Sequence, residues 1–304
     1  MIVVIGSINL DLIASVDSLP SPGETVPGSA FVTAGGGKGA NQALAAARAG
    51  AQVRMIGAVG NDGFAGDAMR LLKEADIDLS GIRQSPQPTG TALILVDARG
   101  ENIITVVPGA NATVAPDDLP DLRQGDVILL QHEIPLSTVE ASLRAARQAK
   151  AISVLNTAPF RVEAASFLSE ADYVVANETE FDRYSSALQL SGNDRGSRMI
   201  EYVRKFRSTI IVTLGGEGVL CAAPETFFEC PALKIEPVDT VGAGDTFCGY
   251  LAHDLSLGAS LEDAVQRANV AAALACLSRG AQPSIPYAKD LTGASLANGR
   301  WAFR

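Results

Sequence analysis

The sequence predicts an α/β fold, a mainly parallel sheet with helices on both faces. Three observations carry this expectation. Short, continuous apolar runs recur along the chain, as in strands covered on both sides. Segments of helical periodicity lie between them, so strand and helix patterns alternate. The composition is that of globular material, 304 residues with 47% apolar and 19% charged, which rules out disorder and supplies a large core. No composition break, repeat or low-complexity tract divides the chain, so residues 1–304 read as one domain carrying a small inserted sheet.

The elements follow in order. Met1–Ile5 opens with a strand, and Asp11–Thr33 is rich in Pro, Gly, Ser and Thr. Asn41–Ala49 has helical spacing and stops at Gly50, a natural helix terminator. Strand Val53–Val59 and helix Phe64–Ala75 come next. Thr89–Val107 reads as a hairpin about Asp97–Gly100. Strand Val127–Leu130, helix Thr138–Lys150, strands Ile152–Leu155 and Tyr173–Ala176, helix Ser197–Phe206 and strand Thr209–Leu214 resume the alternation. Thr246–Ser278 is helical and alanine-rich, and Tyr287–Arg304 carries little pattern. A hairpin within a βα series has no helix to cover it. Residues of about 11–33 and 89–107 are therefore expected to form a β-lid, since both flank the glycine-rich Ala34–Gln42.

Charge narrows the partners. Lys and Arg number 24 against 34 Asp and Glu, a net charge of −10, so nucleic acid and anionic lipid are not expected partners. Any anionic ligand must be held by backbone N–H groups, a metal or one placed base. His132 and His253 are the only histidines, which excludes a multi-histidine metal site and disfavours a Ser-His-Asp triad. Cys221, Cys230, Cys248 and Cys276 have no CxxC spacing and read as buried reduced thiols. The N-terminal apolar run is too short for a signal peptide, and no stretch approaches a membrane span. A cytoplasmic protein is expected.

Val241–Gly249, VGAGDTFCG, is the most informative stretch. Gly242 and Gly244 let a ligand approach the backbone, and a helix pattern follows in which Phe247, Leu251 and Leu255 share a face. The amides of Gly242, Ala243, Gly244 and Asp245 thus lie at a helix N-terminus, a phosphate-binding arrangement. Asp245 has two readings: a helix cap, or a base that takes a hydroxyl proton while the amides hold a phosphoryl group. A cap does not require glycines on both sides of Ala243, which favours the base.

Ala34–Gln42, AGGGKGANQ, opens another helix. It is not a Walker A loop, because Val32 and Gly39 stand where that motif needs glycine and Ser or Thr. Gly35, Gly37 and Ala40 fit a looser dinucleotide fingerprint, with Asp62 about twenty residues on, so an NAD(P)-dependent oxidoreductase stays open. Lys38, one of only six lysines, joins Asn41 and Gln42 as donors suited to hydroxyls. Asn9 and Asp11 follow the first strand, and Glu133 the strand at Val127–Leu130, where ligands of open α/β sheets sit. Asn177-Glu178-Thr179-Glu180 reads either as a helix cap or as a Mg²⁺–phosphate contact through water. Thr213 to Gly216 ends a neighbouring strand.

Together these residues resemble the ribokinase branch of the carbohydrate kinases, which also include fructokinase and adenosine kinase. GGGKGANQA at Gly35–Ala43 and DTVGAGDTFCG at Asp239–Gly249 carry the match. SINLD, PTGTALILV, GENIITVVPGAN, NETE and RGAQPSIP support it over nearly the whole chain. The resemblance implies a three-layer α/β/α fold with a β-lid that pairs two copies, and transfer of the ATP γ-phosphoryl group to the 5-hydroxyl of ribose with Mg²⁺. It implies Asp245 as base beside the Gly242–Asp245 amides. It places the sugar on Asn9, Asp11, Gly37, Lys38, Asn41 and Glu133. It places the nucleotide on Asn177, Thr213, Gly215, Gly244 and Asn269, with Glu180 at the Mg²⁺–phosphate region. A potassium site maps to Asp239, Val241, Ala275, Ser278, Gly280 and Ser284, mostly through carbonyls, although Ser278 replaces a bulkier residue familiar there. Fructose, a keto-deoxy sugar acid or a nucleoside remains a rival substrate, and a regulator that binds sugar without catalysis a rival class.

Overall fold

The computed structural model describes residues 1–297 and 300–303. In chain order the elements are β1 (Ile2–Ile5), β2 (Asn9–Val16), β3 (Gly28–Gly36), α1 (Lys38–Ala49), β4 (Val53–Gly60), α2 (Phe64–Ala68), α3 (Arg70–Glu74), β5 (Asp78–Ser85), β6 (Gly90–Val96) and β7 (Asn102–Val107). Then come β8 (Val127–Leu130), α4 (Leu136–Ala149), β9 (Ile152–Asn156), β10 (Tyr173–Asn177), α5 (Glu178–Ala187), α6 (Arg195–Phe206) and β11 (Thr209–Thr213). The chain closes with β12 (Gly218–Ala223), β13 (Thr226–Pro231), α7 (Ala243–Ser256), α8 (Leu261–Ala275), α9 (Ala281–Ser284), β14 (Ala294–Ala297) and β15 (Arg300–Phe303).

A nine-stranded sheet runs β13-β12-β11-β10-β9-β8-β1-β4-β5. It is parallel from β11 to β5, and β12 and β13 add an antiparallel edge hairpin. Successive strand residues feed opposite cores, as pleating requires. Ile2, Val4, Val127 and Leu129 pack with α1, α7 and α8, whereas Val3, Ile5, Ile128 and Leu130 pack with α4, α5 and α6. That arrangement gives three layers and explains why these strands read as unbroken apolar runs. The strand at Val127–Leu130 lies where the sequence predicts it, and the others differ by a residue or two at an end.

Segments 9–16, 28–36, 90–96 and 102–107 form a second, four-stranded sheet in the order β3-β2-β6-β7. The expected hairpin is real: Asp97 accepts the amides of Arg99 and Glu101 through its carboxylate, and Gly100 turns the chain at φ 85°. The dinucleotide reading fails on topology. β3, which leads into the Gly35–Ala40 turn, is antiparallel to β2 in the small sheet. Asp62 caps α2 through the amides of Phe64 and Ala65 and binds Thr89.

Other expectations are corrected. The helix read as Phe64–Ala75 breaks at Met69 into α2 and α3, with Gly66 weakening the first piece. The run Thr246–Ser278 is two helices, separated around Gly258 at φ 73°. Residues 298, 299 and 304 of the little-patterned tail lie outside the described residues.

Two close approaches fix α1. At its start, a Cβ on Gly39 would lie 2.6 Å from the backbone of Gly6 and Ser7. Farther along, a Cβ on Gly249 of α7 would lie 2.5 Å from Ala45 Cβ and 2.7 Å from Ala46 N. Only glycine fits either contact, and the alanines of α1 keep that helix thin enough to touch both. Gly249→Val is therefore expected to destabilise the protein by about 1–3 kcal/mol or more, the usual cost of overpacking. Gly66→Ala, with nothing within 4 Å of the added carbon, is expected to stabilise it by about 0.5–1 kcal/mol. Urea unfolding midpoints of the two variants check both signs.

Candidate active site

The first turn of α7 is shaped by Gly242, which caps the helix at φ 79° without any side-chain bond. The amides of Gly242, Gly244 and Asp245 meet no acceptor among the described residues. Nothing lies within 4 Å of where a Gly244 Cβ would sit, so the turn is open on one side. Unpaired N–H groups and the helix dipole together are an arrangement suited to an anion.

The Asp245 side chain caps nothing. It is 6% exposed and points across to α1. Its Oδ2 accepts from Asn41 Nδ2 at 2.9 Å, and its Oδ1 accepts from Gln42 Nε2 at 2.9 Å. The cap reading of this aspartate is thereby excluded, because the Gly242 backbone does that work and leaves the carboxylate free of the helix end.

Beside it, the start of α1 is clasped to the β1–β2 turn. Glu133, after β8, accepts from Ser7 Oγ at 2.6 Å and from the Lys38 amide at 3.0 Å, both through Oε2. Gly37 caps α1 at φ 88°, where a Cβ would lie 2.8 Å from the Asn9 amide. Asn9 is buried on β2, and its Oδ1 accepts from Asn111 Nδ2 at 2.7 Å. Burial would lower the Lys38 ammonium, but Asp245, Glu133 and Glu180 outweigh it and hold it above the ordinary lysine value. Asp11, half-buried on β2, is pushed up to about 7 by burial first and then by Glu133 and Asp245.

A cleft of about 670 Å³ runs from Lys38 and Asp245 along the carboxyl ends of β10 and β11. Gly242, Ala243, Gly244, Asn177, Glu180, Thr213, Gly215 and Asn269 line it. Asn177 and Glu180 also form a reciprocal capping box on α5, with Asn177 Oδ1 accepting the Glu180 amide at 2.8 Å and Glu180 Oε2 accepting the Asn177 amide at 3.0 Å. The cap reading of that motif is thus observed, and it leaves Glu180 Oε1 without a hydrogen bond among the described residues. Asn269 Nδ2 donates to the Pro231 carbonyl at 2.9 Å and so fixes one wall.

The remaining six predicted residues gather elsewhere, behind the α7 N-terminus. Asp239 accepts the amides of Val241 at 3.0 Å and Gly280 at 2.8 Å, which staples two loops together. Around them the carbonyls of Val241, Ala275 and Ser278 accept no hydrogen bond among the described residues, while the Gly280 carbonyl opens α9 and the Ser284 hydroxyl turns to the Ala281 carbonyl. Among the described residues no group of three or more His, Cys, Asp or Glu side chains is placed to hold a metal. The four cysteines are free and buried.

Sequence reasoning did not assign Ser7, Asn111, Asn156 or Thr157, nor the wall from Ala232 to Pro237. Gln42 was noticed as a donor but not as the partner of Asp245, a contact 203 residues apart in sequence.

Because Asp11 titrates near 7 in the folded chain against 3.8 otherwise, the stability it contributes is full below that lower value and is lost as pH rises through the upper one. Asp11→Asn has no charge to bury. It is expected to be more stable than the parent above about pH 7 and to lose that advantage toward about pH 4. Urea midpoints of both proteins across this range test the sign, and parallel curves would refute it.

The profile of the pfkB family carbohydrate kinases matches residues 1–288. The ribokinase of Lactococcus lactis subsp. lactis (strain IL1403) is 39% identical over 295 residues, 95% of this chain and 94% of that one. The crystal structure of ribokinase from Thermotoga maritima superposes with a TM-score of 0.85 at 32% identity, covering 95% of this chain and 97% of that one. The structure of Arabidopsis thaliana ribokinase complexed with ribose and ATP superposes with a TM-score of 0.82 at 28% identity, covering 95% and 96%. Matched along almost its full length by family profile, relatives and fold, the chain belongs to the pfkB family of carbohydrate kinases.

Proposed function

We propose that this chain is an ATP-dependent sugar kinase that transfers the γ-phosphoryl group of ATP to the 5-hydroxyl of D-ribose, giving ribose 5-phosphate and ADP. The observation that carries the reading is the carboxylate of Asp245, set between Asn41 and Gln42 and next to three unpaired amides of its own helix turn. A sugar on Asn9, Asp11, Gly37, Lys38, Asn41 and Glu133 brings its hydroxyl to Asp245. A nucleotide along Asn177, Thr213, Gly215 and Asn269 brings its terminal phosphate to the Gly242–Asp245 amides. The sugar oxygen then bonds to phosphorus, the bond to the ADP oxygen breaks, and Asp245 receives the hydroxyl proton. Such transfers pass through a loose transition state, so positioning and charge stabilisation dominate. The ribose and ATP held by the Arabidopsis thaliana relative support this pairing of substrates.

The donor sets suit two cations. Glu180 presents one unbonded carboxylate oxygen to the cleft, as fits a hydrated Mg²⁺ that takes few protein ligands and neutralises phosphate charge. The unpaired carbonyls of Val241, Ala275 and Ser278, with the Gly280 carbonyl, Asp239 and Ser284, are hard oxygen donors suited to potassium beside the anion-binding turn. In this reading the small sheet acts as the lid that excludes water from the sugar.

The small sheet also supports pairing of two copies. Val32, Ile104 and Val106 share the face that carries Asp11, Phe31, Leu93 and Ile103 share the other, and all six are between 45% and 64% exposed. A sheet apolar on both sides is completed by a partner. Among the described residues no helix is long and apolar enough to cross a membrane, in keeping with a cytoplasmic enzyme.

Asp245→Asn is expected to keep its fold by circular dichroism and to lose at least about 10²-fold in kcat, the low end for a positioned base. ADP release over pentoses, hexoses and nucleosides, with and without potassium, is expected to be fastest with ribose and potassium. Preferred turnover of another sugar moves the substrate assignment. Phe31→Ser combined with Ile103→Ser is expected to reduce the sedimentation mass from two chains to one.

A further inference from the structure

Asp245 is the end point of a relay of buried side-chain amides that begins in the main sheet. Gln131 directly follows β8, and Gln42 sits in α1; both are fully buried, and neither lines the cleft. Gln131 Nε2 donates to Gln42 Oε1 at 2.6 Å. Gln42 Nε2 in turn donates to Asp245 Oδ1 at 2.9 Å and reaches Asn156 Oδ1 at 3.4 Å.

Chemistry sets the direction of this relay. An ionised carboxylate only accepts, so Gln42 must turn its NH₂ toward Asp245. Its oxygen then faces Gln131, which must donate. Gln131 therefore selects the one amide orientation of Gln42 that serves Asp245. Space is made for it by Gly6, where a Cβ would lie 2.0 Å from Gln131 Oε1. The arrangement leaves Gln131 Oε1 and Asn41 Oδ1 buried without a partner among the described residues, a cost that an apolar interior avoids. What singles this pair out is its direction, since both buried amides are spent in a single line that ends on the Asp245 carboxylate.

We propose that Gln42, oriented by Gln131, is a positioning residue for Asp245. With Asn41 on the other oxygen, it fixes the plane of the carboxylate, so that the lone pairs left over face the sugar hydroxyl. The inference rests on Asp245 being the proton acceptor.

Steady-state kinetics of Gln42→Leu, Gln42→Glu, Gln131→Leu and Asp245→Asn test it. Gln42→Leu is expected to lower kcat by about 10- to 100-fold, the range for one hydrogen bond to a charged group. The KM values for sugar and ATP are expected to stay within about threefold, since the Gln42 side chain is fully buried and its amide is spent on Asp245 and Gln131. Gln131→Leu is expected to lower kcat in the same way by a smaller factor.

Gln42→Glu keeps the size but sets a second carboxylate against Asp245. Two such groups share one proton, so the acid limb of the kcat profile is expected to move up by about one pH unit or more. Lys38 of α1, Asp11 of β2, Glu133 after β8, Glu180 of α5 and Cys248 of α7 also face this region. They are the same in every variant, so the difference between profiles reads position 42 alone.

Parent-like kcat in Gln42→Leu overturns the proposal. So does a loss of kcat matched by a loss of KM and thermal stability while the Gln42→Glu profile stays in place, because that is packing alone. If Gln42→Leu does not fold, the near-isosteric Gln42→Glu decides by its profile. Near-parent turnover in Asp245→Asn overturns the base reading itself and the relay with it, an outcome distinct from an inactive Asp245→Asn beside a normal Gln42→Leu.

Discussion

Where α1 and α7 cross, the two helices meet backbone to backbone at Gly249. That contact sets the distance between the turn holding Asp245 and the turn holding Asn41 and Gln42, and the rest of the site is built outward from it. A side chain at the crossing would push α7 away from α1 and stretch both 2.9 Å hydrogen bonds to the carboxylate beyond the range in which they are strong. The other end of α1 is equally constrained, because Gly37 and Gly39 rest on the backbone of residues 6–9. Helix α1 is thus wedged between the end of β1 and α7, and the sugar side and phosphate side of the site keep a fixed separation.

The same geometry resolves an electrostatic difficulty. A chain with a net charge of −10 repels anions at long range, yet it turns a helix N-terminus with unpaired amides toward a cleft. Lys38 adds a local positive charge that three neighbouring carboxylates keep protonated. Burial first, and then Glu133 and Asp245 beside it, drive Asp11 toward neutrality near pH 7. The site therefore holds acid and anion together by dividing them. Carboxylates gather where hydroxyls would bind, and amides gather where phosphate would bind.

Legibility in the sequence followed burial. β1 and β8 could be read because every residue is covered by one core or the other. β5 could not, since Asp78, Ser80, Arg83 and Gln84 give this edge strand a loop-like composition. The β12–β13 hairpin was also missed, being short and turning through Pro224 and Glu225. At the site, glycine and charge patterns exposed the turn at Gly242–Asp245 and the cluster at Lys38. What stayed hidden were contacts made by the fold alone: Glu133 reaching the Lys38 amide, Asp62 reaching Thr89, and Gln42 reaching Asp245. Each joins segments that local pattern treats as independent.

The position of β2 has a mechanical consequence. Three residues separate β1 from β2, and that short link, residues 6–8, is where α1 rests and Glu133 takes hold through Ser7. Asn9 and Asp11 ride on the small sheet, whereas Lys38, Asn41 and Asp245 ride on helices of the main body. The link is in effect a fulcrum beside the site, joined to the start of α1 through Glu133. A rotation of the small sheet by a few degrees about it would carry Asn9 and Asp11 along an arc while the other three stay in place. The far strands would swing widely, but the groups nearest the pivot would shift only slightly.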